Sequence, residues 1–307
     1  MLFQHYNKYT TNLLPDLLRM KVQLILLVFA IAITGSSCSK STDNTSNGEL
    51  PAQTLIDVAY GSDPLQKMDI YLPQGRTTAN TKVAVLIHGG AWLAGDKADF
   101  NNDIPTLRAQ LPDYAFFNIN YRLATLQGAN RWPTQLNDVN AAYQFLKNKF
   151  NEYQVNGDKT IVLGASAGAQ LALMQAYQNN SDNKIKVVVD LFGPTDLTDL
   201  YNNPPDPQYP NLLQIFMSGT PTSNTANYNS ASPIRFVNNQ VPPTIIFHGT
   251  NDNVVPIRQS DSLHARLQRA NVITQYTRYN GEAHGWSGNN LVDTYNKSVA
   301  FIKQYNP

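Results

Sequence analysis

The chain has 307 residues, 42% hydrophobic and 15% charged, enough for one large domain with a substantial buried core and no need for two. Its 23 basic and 22 acidic residues leave a formal net charge of +1 without a long run of either sign, so nothing favours nucleic acid or another polyanion, and a small neutral ligand is the expected partner. The single cysteine, Cys38, excludes an intrachain disulfide and any cysteine-built zinc or iron-sulfur site.

At the N-terminus, Met20 and Lys21 open an apolar run from Val22 to Thr34, which Gly35, Ser36 and Ser37 close in front of Cys38. Roughly 7 to 15 apolar residues after a positive start read as an export signal, whereas a spanning helix needs about 20. With the cysteine behind it, the pattern resembles a bacterial lipoprotein signal. That resemblance implies a lipidated Cys38 and a protein held to a membrane by its N-terminal lipid, in the periplasm or at the cell surface. The other reading is an ordinary signal with an incidental cysteine, which gives a secreted protein. Residues Met1 to Arg19 read as a mis-called start ahead of Met20, so residues 1–38 stand apart from the fold. Residues 39–49, rich in Ser, Thr and Asn, read as a flexible tether, and the folded domain is expected over 50–307.

From Leu50 onward, short β-branched or aromatic runs alternate with longer helical patterns, which predicts an α/β fold with a mostly parallel sheet flanked by helices. Leu55 to Tyr60 and Met68 to Leu72 read as an antiparallel pair, because Gly61-Ser62-Asp63-Pro64 between them is dense in turn residues. Val83 to Ile87, Ala115 to Asn120, Thr160 to Leu163, Ile185 to Leu191 and Thr244 to Phe247 are the expected buried strands, and Ile273 to Tyr279 the last strand. Helices are expected over Pro133 to Lys149, Ala167 to Tyr177, Ile257 to Ala270 and Val292 to Tyr305. Residues 198–240 differ, being rich in Pro, Asn, Tyr and Ser with one apolar patch at Leu212 to Met217. So long a connection in a compact domain is usually functional, and it reads as a small cap.

The chemistry gathers at Gly164-Ala165-Ser166-Ala167-Gly168, which follows a strand and opens a helix. Such a G-x-S-x-G turn presents its serine on a sharp strand-to-helix bend, and its small residues admit the close packing this requires. A serine hydroxyl needs a base to take its proton and a carboxylate to hold that base. Only His248, His264 and His284 follow Ser166. His264 lies within an amphipathic helix and His248 ends a strand, where a structural hydrogen bond is expected. His284 sits in a Gly-flanked loop after the last strand and is the candidate base. Asp252, in the loop after Thr244 to Phe247, is the candidate acid. Asp196 is its rival, with a turn or helix cap as its alternative role. Glu282 reads as a solvated loop charge.

His88-Gly89-Gly90-Ala91-Trp92 follows a strand and exposes backbone N–H groups. Gly90, Ala91 and the N–H of Ala167 are the candidate oxyanion donors, with His88 bracing the loop. No metal ligand set or organic cofactor motif stands out, and nothing signals an oligomeric state.

His88-Gly89-Gly90-Ala91-Trp92, Asn120-Tyr121-Arg122-Leu123, the elbow at Ser166, Asp252 and His284 together resemble carboxylesterases related to hormone-sensitive lipase. The resemblance is closer to the bacterial branch of feruloyl and acetyl-xylan esterases, spanning nearly all of Leu50 to the C-terminus. It implies the α/β-hydrolase fold and a serine carboxylesterase, working through an acyl-enzyme without metal or cofactor. Its expected substrates are short-acyl or aromatic-acyl esters, including acetyl or feruloyl groups on carbohydrate. Ala91 in place of a third glycine still offers a donor but narrows the space beside it. Tyr201, Tyr209, Phe216, Tyr228 and Trp286 are expected either to line an aromatic-accepting pocket or to pack the cap itself. The alternatives are an exopeptidase or amidase of the same fold, and a non-catalytic binding scaffold.

Overall fold

The computed structural model describes residues 49–307; the expected mis-called start and export signal, Cys38 and the expected tether through residue 48 lie outside the described residues. Eight strands form one sheet: β1 (Gln53–Ala59), β2 (Lys67–Leu72), β3 (Lys82–Ile87), β4 (Tyr114–Ile119), β5 (Thr160–Ala165), β6 (Ile185–Leu191), β7 (Thr244–Gly249) and β8 (Thr274–Tyr279). Their order is β1-β2-β4-β3-β5-β6-β7-β8, antiparallel at β1/β2 and β2/β4 and parallel from β4 to β8.

Helices cover both faces: α1 (Ile104–Gln110), α2 (Thr134–Tyr153), α3 (Ala167–Gln178), α4 (Leu197–Asn202), α5 (Tyr209–Met217), α6 (Thr225–Ser230), α7 (Arg258–Arg269) and α8 (Gly288–Tyr305). Because both faces are covered, the central strands read as unbroken apolar runs, yet their side chains still alternate with period two. In β3, Val83, Val85 and Ile87 join the core beneath α2, α3 and α7, while Ala84 and Leu86 join the core beneath α1 and α8. In β7, Ile246 takes the first face, and Ile245 and Phe247 the second. The edge strands β1 and β8, covered on fewer sides, mix exposed and half-buried residues.

The β5–α3 turn is the tightest approach. A Cβ on Gly164 would meet the Gly168 carbonyl oxygen at 2.2 Å, and one on Gly168 would meet that of Ile87 at 2.1 Å. Helix α3 thus lies against the sheet so closely that every residue from Ala167 to Tyr177 is buried.

The elements follow the sequence expectation with local shifts. Helix α8 starts at Gly288 rather than Val292, which shortens the loop holding His284, and α1 and a 3₁₀ turn at Lys97–Phe100 add to the expected set. Residues 198–240 carry α5, α6, most of α4 and a 3₁₀ turn at Pro233–Phe236, between β6 and β7.

Gly168→Val is expected to lose at least about 2 kcal/mol of stability by overpacking against backbone that has nowhere to move. Chemical denaturation of variant and parent measures it.

Candidate active site

Each sequence-selected residue sits at the carboxyl end of a parallel strand, the edge where sites in such sheets gather. Strand β5 delivers Ser166, β7 leads to Asp252, β8 leads to His284, and β3 leads to Gly90 and Ala91. Ser166 has φ 54° and ψ −121°, a left-handed conformation for a residue with a side chain; its N–H donates to Leu191 O at 2.8 Å. Such strain persists only where the surroundings enforce it, here the sheet on one side and the first turn of α3 on the other.

The expected side chains meet. His284 Nε2 lies 2.9 Å from Ser166 Oγ, and His284 Nδ1 lies 2.6 Å from Asp252 Oδ2. The second oxygen, Asp252 Oδ1, accepts from Val254 N at 2.8 Å and Val255 N at 2.9 Å, so the loop after β7 folds around the carboxylate. Burial disfavours charge on Asp252, but the facing His284 and the hydrogen bonds from His248 and His284 outweigh it and hold the carboxyl well below the usual carboxylate range. An acceptor that stays ionised fixes His284 with Nδ1 protonated, leaving Nε2 able to take the serine proton. Phe192 packs edge-on to the His284 ring, centroids 4.6 Å apart, and the loop is pinned by Asn251 N to Glu282 O at 2.8 Å.

The rival residues have other work. Asp196 caps α4, accepting from Thr198 N at 3.0 Å and Asp199 N at 3.1 Å. His264 pairs with Thr274 Oγ1 at 3.3 Å on the outer side of β8, and Glu282 accepts from Asn290 at 2.7 Å, bracing the loop rather than facing solvent alone.

The loop after β3 is turned by left-handed backbone at Gly90, Ala91 and Trp92. Among the described residues, the N–H groups of Gly90, Ala91 and Ala167 donate to no internal acceptor. His88 braces this loop: it stacks on Tyr121 at 4.3 Å, and the Tyr121 hydroxyl donates to His88 O at 3.0 Å. Burial lowers the His88 pKa, keeping a neutral ring beneath the loop. Sequence reasoning missed Gln170, which accepts from Trp92 Nε1 at 3.0 Å and donates to Ala231 O at 2.8 Å, tying this loop to the 197–236 segment. A glutamine inside an Ala/Leu helix was the available signal.

A cavity of about 30 Å³ opens beside Ser166, walled by Trp92, Pro194, Leu200, Tyr209, Leu213 and Val255 among others. Of the aromatics expected there, only Tyr209 lines it. Phe216 stacks on Trp92, Tyr201 packs against Tyr228, and Trp286 packs against Phe192 and Tyr279.

The BD-FAE family model matches residues 68–267, the stretch that carries Ser166, Asp252 and the loop after β3. The chain belongs to the BD-FAE family. Among curated relatives of this family member, esterase LipC of Mycobacterium tuberculosis is 27% identical over 243 residues, covering 75% of this chain and 59% of that protein. The probable carboxylic ester hydrolase LipM of the same organism is 28% identical over 216 residues, covering 66% and 49%. The chain thus spans only about half of the curated relatives' length. Among solved structures, a truncated carbohydrate esterase from gut microbiota superposes with a TM-score of 0.70 at 22% identity, covering 83% of this chain and 96% of that one. A bifunctional GH43-CE protein of Bacteroides eggerthii gives 0.72 at 26%, covering 83% and 38%. The fold is that of the α/β-hydrolases.

Several acids are buried outside the Ser166–His284–Asp252 chain, Asp190 among them. Asp190, on β6 and fully enclosed, is pushed up to about 7 by burial, against the opposing effects of the Gly193 N–H at 2.8 Å and of His248. A raised native pKa gives stability that is complete below pH ~4 and lost as pH rises through about 7. Asp190→Asn, which cannot ionise, is expected to gain on the parent by a few degrees of Tm, about 1–2 kcal/mol, between pH 5 and 8. Parallel thermal melts across that range check it; a constant difference contradicts it.

Proposed function

We propose that this BD-FAE domain is a serine carboxylic-ester hydrolase. Ser166 Oγ attacks the acyl carbonyl while His284 Nε2 accepts its proton, and Asp252 holds the imidazolium that forms. The N–H groups of Gly90, Ala91 and Ala167 receive the developing oxyanion, where donors fixed in advance stabilise charge most effectively. The tetrahedral adduct then collapses: the C–O bond to the alcohol breaks, His284 returns the proton to the leaving oxygen, and an acyl-enzyme remains. Water, deprotonated by His284, reverses the sequence and releases the acid.

The observation that carries this reading is the unbroken hydrogen-bond chain from Ser166 through His284 to Asp252, at 2.9 and 2.6 Å, beside an apolar cavity. Cavity size favours the acyl group. One water needs roughly 10–15 Å³ of such space, so a group of acetyl size fits and a bulky aromatic acid does not without movement of α5. The helical segment 197–236 acts as a cap, with Leu200, Tyr209, Leu212 and Leu213 closing the cavity over Ser166. Support for a carbohydrate-linked ester comes from the structural neighbour described as a carbohydrate esterase. Acetyl groups on a sugar chain are therefore the proposed substrate.

Nitrophenyl acetate, butyrate and octanoate, methyl ferulate, acetylated xylan and an aminoacyl anilide form the test panel. Acetyl esters are expected to turn over fastest, with Ser166→Ala reducing the rate about 10³-fold or more. Leu213→Ala is expected to enlarge the cavity and shift preference toward butyrate. Ester turnover that survives Ser166→Ala, or anilide cleavage without ester cleavage, overturns the proposal.

A further inference from the structure

We propose that His248 is a positioning residue for Asp252, a second histidine on the same carboxylate, and this rests on the reading of Ser166, His284 and Asp252 above. Strand β7 places His248 on the face covered by α3 and α7, where its side chain has no exposed surface. Its Nε2 lies 2.8 Å from Val255 O and 3.1 Å from Asp252 Oδ2, and its Nδ1 lies 2.7 Å from Ser260 Oγ. A carbonyl and an ionised carboxylate only accept, so Nε2 carries the proton and donates to both. The Ser260 hydroxyl then donates to Nδ1. The ring's orientation is thereby fixed from α7, and its donor is aimed at the oxygen that also faces His284.

Asp252 consequently has both oxygens held: Oδ1 by the Val254 and Val255 N–H groups, Oδ2 by His284 and His248. The chemical effect has a sign. A second N–H on Oδ2 withdraws charge from it, so Asp252 stabilises the His284 imidazolium less than it would alone. Removing that donor should make His284 more basic and free the carboxylate to rotate. The titratable groups facing the pair are His284 from the loop after β8, Asp190 from β6 on the His248 side, and Tyr209 from α5 on the Asp252 side. Asp190, pushed up to about 7 by burial, ionises over the same range as the readout, so each variant is also compared on an Asp190→Asn background, where that charge cannot form.

The test compares parent, His248→Phe, His248→Gln and Ser260→Ala in the full chain, with Ser166→Ala alongside. His284 titration is read by side-chain ¹⁵N NMR, which needs no turnover, and the acid limb of kcat/KM is read on nitrophenyl acetate. In His248→Phe, the His284 pKa and the acid limb should both rise by about half a unit or more. In the same variant, kcat should fall roughly tenfold with KM within about twofold. His248→Gln, whose amide still donates, should restore most of both. Ser260→Ala should lower Tm without moving His284, because Nε2 still points at Asp252. If His248→Phe does not fold, His248→Asn, polar but too short to reach Oδ2, replaces it. An unmoved His284 pKa in a folded variant lacking the donor overturns the proposal, as does the same shift in Ser260→Ala. Activity surviving Ser166→Ala instead condemns the esterase reading, and the NMR titration still decides the role of His248.

Discussion

Everything in this site follows from how closely helix α3 approaches the sheet at the end of β5. That approach forces Ser166 into a left-handed turn with φ 54°, tips its hydroxyl out of the strand and points the first N–H groups of α3 toward the same space. Only residues without a side chain are tolerated on either side, since a Cβ at Gly164 or Gly168 would collide with backbone. The strain, of the order of 1–3 kcal/mol for such a residue, is borne by the surrounding core. Apolar strands buried on both faces hold the backbone where it is. The parallel arrangement then brings the loops after β3, β7 and β8 to the same edge, where His284 bridges Ser166 and Asp252.

Beneath the reacting atoms lies a buried polar layer that ties these loops together. Gln170 links the loop after β3 to Ala231, and Gln259 on α7 holds the segment after β6, accepting from Thr195 N at 2.8 Å and Asp196 N at 2.7 Å. His248 joins β7, α7 and Asp252. Hydrogen bonds in so dry an environment are costly to leave unmade, which makes the layer a geometric clamp rather than a source of net stability. The second oxygen of Asp190 is one of the buried polar atoms left without a partner, and burial pushes that carboxyl up to about 7.

Much of this was legible in the sequence because the signals were local. The elbow at Ser166 needs five residues in a row, the strands declare themselves as apolar runs, and the order serine, acid, histidine left few choices. Asp252 and Asp196 both lie in loops that leave a strand, so Asp196 stood as a rival with a turn or helix cap as its alternative role, and it caps a helix. What escaped depended on partners distant in the chain. Gln170 acquires meaning only once β3 and the 197–236 segment stand beside α3, and the structural hydrogen bonding expected of His248 extends to Asp252 only in the packed fold. The start of α8 was misplaced because Gly288, Asn289 and Asn290 are poor helix formers, and tertiary packing overrides their propensity. α1 was missed behind Asn101, Asn102 and Asp103, which read as loop. The aromatics of residues 198–240 were ambiguous for a related reason: only the packed structure distinguishes Tyr209, on the cavity, from Tyr228 and Phe216, which fill the core.

The proposed role of Ser166, a nucleophile activated by His284, has a direct chemical signature. The most direct measurement is intact-protein and peptide mass spectrometry after brief exposure to a small fluorophosphonate. A single phosphonyl adduct is expected on Ser166, absent in Ser166→Ala and formed at least about a hundredfold more slowly in His284→Ala. An adduct on another residue, or labelling of Ser166 that His284→Ala leaves unchanged, contradicts it.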